Sequence, residues 1–116
     1  MFLNQIHEER FNNLIELAKT PDYDTERKAF IYIISSCDNL YKIREKLYDF
    51  EADFPRFVDL EELELDPAMS KLVYIAFSLY NGHNPDTYSL VDLFRRFDDD
   101  AFNIAVNALK IRFVKS

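Results

Sequence analysis

Gly82 is the only glycine in 116 residues, where average usage of ~7 % would place about eight. Glycine supplies backbone that turns through positive φ or lies against a ligand with no Cβ in the way. Its scarcity removes the phosphate-cradling P-loop, the Rossmann fingerprint and the Gly-x-Ser-x-Gly nucleophile elbow together, since each needs several clustered glycines. Two-residue hairpins favour Asn-Gly, and the one such pair, Asn81-Gly82, follows a strongly helical pattern. The expected fold is all-α.

Helical periods and caps recur along the chain. Asn4 is placed to cap a helix running to about Lys19, with Phe11, Leu14, Ile15 and Ala18 at i, i+3, i+4 and i+7. Thr20-Pro21-Asp22 stops it, because proline disfavours helical geometry in the residue before it. A second helix starts after Asp24 or Thr25, and its Ala29–Ile34 stretch is apolar almost all round, the pattern of a helix at the centre of a bundle. Asp38 or Asn39 caps a third, turning Leu40, Ile43 and Leu47 inward. Asp66-Pro67 opens a fourth, with Met69, Leu72, Val73, Ala76, Phe77 and Tyr80 inward and Asn81-Gly82 at its end. Ser89 caps a short helix to about Arg96. Asp98 starts the last, to about Phe113, with Phe102, Ala105, Val106 and Leu109 as its apolar stripe. The prediction is a single domain over residues 1–116, an irregular bundle of about six helices.

Charge is distributed unevenly. Between Asp49 and Asp66 stand Asp49, Glu51, Asp53, Asp59, Glu61, Glu62, Glu64 and Asp66 against one base, Arg56. The remaining residues hold 13 acids and 13 bases, so the whole net charge of −7 resides in this connector. It also carries Phe50, Phe54, Phe57, Val58, Leu60, Leu63 and Leu65. One reading is a wrapped connector, its rings tucked into the bundle and its carboxylates in water. The other is an acidic, aromatic-bearing contact surface. Complementary charge raises association rates and selects partners, so that surface would take a basic protein. Phe54 and Phe57 are its expected anchors, and Asp59, Glu61, Glu62 and Glu64 its expected steering charges.

Residues able to carry chemistry are few. Cys37 stands alone, which leaves no intrachain disulfide and no cysteine-based zinc site. Asp22-x-Asp24-x-Glu26 imitates the opening of a calcium loop, but Arg27 and Ile33 stand where such a loop needs glycine and glutamate. His7 and His83 lack partners at ligand spacing, and His7 is read as a first-turn surface residue. Cys37 precedes a helix start, a position that lowers a thiol pKa. Glu45 and Asp49 read as exposed like charges four apart on one helix. Tyr23, Tyr41, Tyr48 and Tyr88 could stack bases only beside a cationic groove, and the basic residues available are Arg95-Arg96 and Lys110, Arg112 and Lys115. No catalytic residue, metal or cofactor is assigned, and neither nucleic acid nor membrane is an expected partner. The single thiol, the absence of a basic leader and the lack of a long apolar run give a cytoplasmic expectation.

The stretches Leu72–Gly82, Ser89–Phe94, Phe97–Phe102 and Ile111–Phe113, with Phe2–Asn4, His7–Phe11 and Tyr48–Glu51, resemble a family of small uncharacterised proteins of Firmicute bacteria and their phages. The resemblance implies a helical, intracellular protein of phage or prophage origin and carries over no catalytic residue. The reading is thus a non-enzymatic interaction protein, with self-association through the basic carboxyl end as one version of it. The alternative is a small enzyme whose site is assembled from His7, His83, Cys37 and tyrosines.

Overall fold

The structure is a computed structural model that describes residues 1–80 and 88–114. Among them are seven α-helices: α1 (Gln5–Leu17), α2 (Thr25–Ile34), α3 (Asp38–Lys42), α4 (Arg44–Leu47), α5 (Pro67–Leu79), α6 (Leu90–Phe94) and α7 (Asp99–Phe113). A 3-10 turn spans Leu60–Leu63, and two short strands, β1 (Tyr48–Asp49) and β2 (Phe54–Pro55), pair antiparallel. The chain is therefore mostly helical, and the all-α expectation is corrected by this small hairpin.

Five helices start where the sequence places a side-chain cap. Asn4, Asp24, Asp66, Ser89 and Asp98 each accept the N–H of the residue three further on, satisfying a donor that the first helical turn leaves open. The third expected helix breaks in two at Ile43. There Ile43 N–H bonds to Leu40 C=O at 3.2 Å and Lys46 N–H to Ile43 C=O at 2.8 Å, so the ladder tightens to 3-10 spacing. Arg44 meanwhile takes the Tyr41 carbonyl at 2.9 Å and lies 4.3 Å from the Tyr41 ring centre.

With one glycine in the chain, other residues occupy left-handed backbone at Lys19, Asp53, Glu64 and Arg96. Lys19 ends α1: its N–H bonds to Glu16 C=O and that of Thr20 to Ile15 C=O, both at 3.0 Å. This closure usually employs glycine. Asn81-Gly82, the expected end of α5, lies outside the described residues, as do His83 and Lys115.

The centre of the molecule is α2, whose residues from Ala29 to Ile34 are all fully buried. It packs most extensively on α7, then on α5 and α1. Phe30 stacks on Phe77 at 5.8 Å between ring centres, with Tyr48 at 5.7 Å on another side. Each large apolar side chain buried this way stabilises the fold by about 1.5–3 kcal/mol. Ser35 and Ser36, buried beyond the helix end, donate their hydroxyls to Ile31 and Ile33 carbonyls, so neither is left unsatisfied.

The buried stripe of α7 differs from the expectation. Ala101, Ile104, Ala105 and Ala108 face inward, while Phe102 is 49 % exposed and Val106 and Leu109 are half-buried. Three alanines let the α7 backbone approach α2, and the bulkier Phe102 sits outside, edge-on to Phe94 at 6.1 Å. Enlarging Ala105 must then force the two helices apart. Ala105→Leu is expected to cost about 1–3 kcal/mol in urea unfolding. Phe102→Ala is expected to cost about 1 kcal/mol or less, since it empties no interior space.

Candidate functional site

The segment from Asp49 to Asp66 is built as a strap laid along the bundle. Leaving α4, the chain enters the hairpin, where Tyr48 faces Pro55 and Asp49 faces Phe54. Asp49 closes the intervening turn: its Oδ1 accepts the N–H groups of Glu51 and Ala52, both at 3.0 Å, and Asp53 supplies φ of 54°. The bond from Ala52, then that from Glu51 and the charge of Arg56, hold the Asp49 carboxyl below its ordinary value. Asp49 is thus a strand residue that fixes a turn, which corrects the helical pairing with Glu45.

Arg56, the strap's single base, has two partners. It reaches Asp49 Oδ2 at 3.3 Å and donates Nε–H to the Glu45 carbonyl at 2.9 Å. Beyond it, Asp59 caps the 3-10 turn through the Glu61 N–H at 3.1 Å, Glu64 turns through φ of 54°, and Asp66 caps α5. Phe50, Phe57, Val58, Leu60, Leu63 and Leu65 are half-buried against the core. Asp59, Glu61, Glu62, Glu64 and Asp66 are exposed. Among the described residues there are five ion pairs, and none involves these five carboxylates. The alternation of leucines and acids therefore sorts them by face, apolar inward and anionic outward.

Five of the six expected site residues divide between two depressions, and Phe54 lies in neither. A groove of about 670 Å³ between the 3-10 turn and α5 is lined by Phe57, Asp59, Glu61 and Glu64, together with Phe77 and Tyr88. Among the described residues its lining holds three carboxylates and no cation. Phe54 lies outside it, 45 % exposed, with its ring edge-on to Phe57 at 5.7 Å and to Tyr80 at 5.6 Å. Glu62 faces a shallower hollow beside Lys46 and Arg56. Phe57 is as much a core anchor as a surface ring, edge-on to Phe77 at 5.2 Å. Tyr88 joins through tertiary packing of residues far apart in sequence, which no local signal reveals; its ring already lies 5.9 Å from Lys71 Nζ.

The family of unknown function DUF6075 matches the chain over residues 1–116. The chain belongs to that family. No curated protein and no solved structure matches it. No described helix is long and apolar enough to cross a membrane, and no three metal-ligating side chains gather among the described residues.

Of the residues named for an assembled active site, His83 lies outside the described residues and His7 is otherwise employed. His7, expected at the surface, is 1 % exposed. Its Nδ1 accepts the Leu3 N–H at 3.2 Å and its Nε2 lies 3.0 Å from the Tyr32 carbonyl. An amide can only donate and a carbonyl can only accept, so the ring is neutral with its proton on Nε2. Phe2 stands edge-on to it at 5.1 Å. Tyr32 Oη donates to the Met1 carbonyl, which also accepts Asn107 Nδ2 at 3.1 Å. His7 thus fastens residues 1–3 to the bundle, and no lone pair remains for a general base. Cys37 is half-buried, and burial pushes its thiol up despite its place before α3. Tyr48, offered for stacking bases, is fully buried, whereas Tyr23 is 85 % exposed.

Burial, foremost, lowers the His7 pKa from its ordinary 6.5. The unfolded chain gains a proton as pH falls through 6.5, while the folded chain refuses it until lower pH. His7 therefore costs nothing above that value and destabilises the fold as the solution is acidified below it. Wild type should lose stability relative to His7→Gln by up to about 1.4 kcal/mol per pH unit. Urea midpoints of both proteins between neutral and mildly acid pH check this.

Proposed function

We propose that the protein acts without catalysis, by docking a basic protein partner on the Asp49–Asp66 strap. The observation that carries this reading is the set of exposed carboxylates at Asp59, Glu61, Glu62 and Glu64, none in an ion pair among the described residues, on the same strap as the 45 % exposed ring of Phe54. Crowded like charge is unfavourable to a compact fold, and a cationic surface brought against it relieves that repulsion. Electrostatic steering then speeds the encounter, and the ring provides the apolar contact that charge alone lacks. In the phage or prophage setting implied by the sequence resemblance, the partner is a basic protein of the host cell.

Capture of partner proteins on the immobilised chain tests the reading. Asp59→Asn, Glu61→Gln, Glu62→Gln and Glu64→Gln together keep the shapes, and an asparagine in place of Asp59 can still cap the turn. A specific partner is expected to be retained by wild type at low salt, released at high salt, and lost by the fourfold variant. Retention by the variant, or indifference to salt, contradicts the proposal.

A further inference from the structure

The groove beside the 3-10 turn has a more specific chemistry than acidity. Its apolar wall, from Leu60, Leu65 and the half-buried ring of Phe57, adjoins the carboxylates of Asp59, Glu61 and Glu64. A ligand complementary to both needs a long apolar stem and a cationic head, and a basic side chain has that construction. The volume of about 670 Å³ falls within the ~300–1,000 Å³ of clefts that hold ligands. It leaves room for a basic side chain together with its flanking peptide.

We infer that this groove binds an arginine side chain presented by the partner peptide, in preference to lysine. The inference rests on the docking reading above and names the group that reading brings to the strap. The guanidinium is planar, stacks on aromatic rings and forms paired hydrogen bonds with a carboxylate. The lysine ammonium is a compact, strongly hydrated point charge. A site joining a phenylalanine ring to side-chain carboxylates rewards the first construction over the second. The five-fold donor set of arginine also lets one head engage more than one of the three acids.

The experiment uses the full chain and three short, otherwise identical uncharged peptides bearing one central arginine, lysine or citrulline. Citrulline keeps the stem and planar end of arginine and removes the charge. Amide NMR shifts report both the place and the strength of binding. The arginine peptide is expected to move resonances from Asp59 to Leu65 and at Tyr88, several-fold more tightly than lysine. Citrulline should bind about tenfold more weakly or not at all, and Glu61→Gln with Glu64→Gln should weaken the arginine peptide about tenfold. Both glutamates are exposed, so this variant retains the fold. Equal binding of arginine and lysine, undiminished binding of citrulline, absence of binding, or shifts mapping to another face would each overturn the inference. If the peptides fail while wild type still captures a salt-sensitive partner that the fourfold variant loses, the arginine site falls and the docking reading stands. If the fourfold variant captures the same partner, both fall.

Discussion

Burial of α2 on every side is the constraint from which the rest of the structure follows. Ala29 through Ile34 have no solvent-facing side, so the helix needs a wall all round: α1, α5 and α7 provide most of it. The small residues of α7 set how closely that wall approaches. Phe30 then connects the centre to Phe77 of α5 and to Tyr48 at the root of the hairpin. A chain committed to enclosing one apolar helix has little interior left for polar machinery. Of the polar groups that do enter, His7, Ser35 and Ser36 are satisfied by backbone partners, whereas the buried Tyr48 hydroxyl has no hydrogen-bond partner among the described residues.

The strap is the other side of this division. It contributes apolar anchors to the outside of the core and exposes six of its eight acids to water, so its charge is added to a body that is neutral without it. Its backbone is held by its own residues: Asp49 closes the hairpin turn, Asp59 caps the 3-10 turn, and Asp53 and Glu64 accept left-handed geometry. Two of its acids thus serve in turns and a third, Asp66, caps α5. Glu61, Glu62 and Glu64 have no such side-chain task among the hydrogen bonds and ion pairs of the described residues.

What could be read from sequence was what is decided locally. The caps at Asn4, Asp24, Asp66, Ser89 and Asp98 are set by a side chain and an amide three residues away, and each appears where expected. The apolar girth of α2 likewise identified the central helix. Tertiary choices were hidden. Periodicity alone does not distinguish the stripe of Phe102, Val106 and Leu109 from the neighbouring alanine stripe, because the decision depends on how closely α2 must approach. His7 looked like a surface residue because its partners, the Leu3 amide and Tyr32 carbonyl, meet only when the chain folds back. The hairpin at Tyr48–Pro55 leaves no local signal because its turn is closed by Asp49 and a left-handed Asp53 instead of glycine. Of the candidate site, the acids and Phe57 were legible, while their grouping with Tyr88 was not.

The central claim is that the four carboxylates from Asp59 to Glu64 repel one another instead of being paired within the fold. The urea midpoint measured as sodium chloride is raised tests it most directly, because added salt screens whichever interaction dominates. Dominant repulsion predicts a midpoint that climbs with ionic strength and a response that flattens once the four acids from Asp59 to Glu64 are amidated. A midpoint that falls with salt would mean the acids stabilise the fold through internal pairs, and would contradict the account.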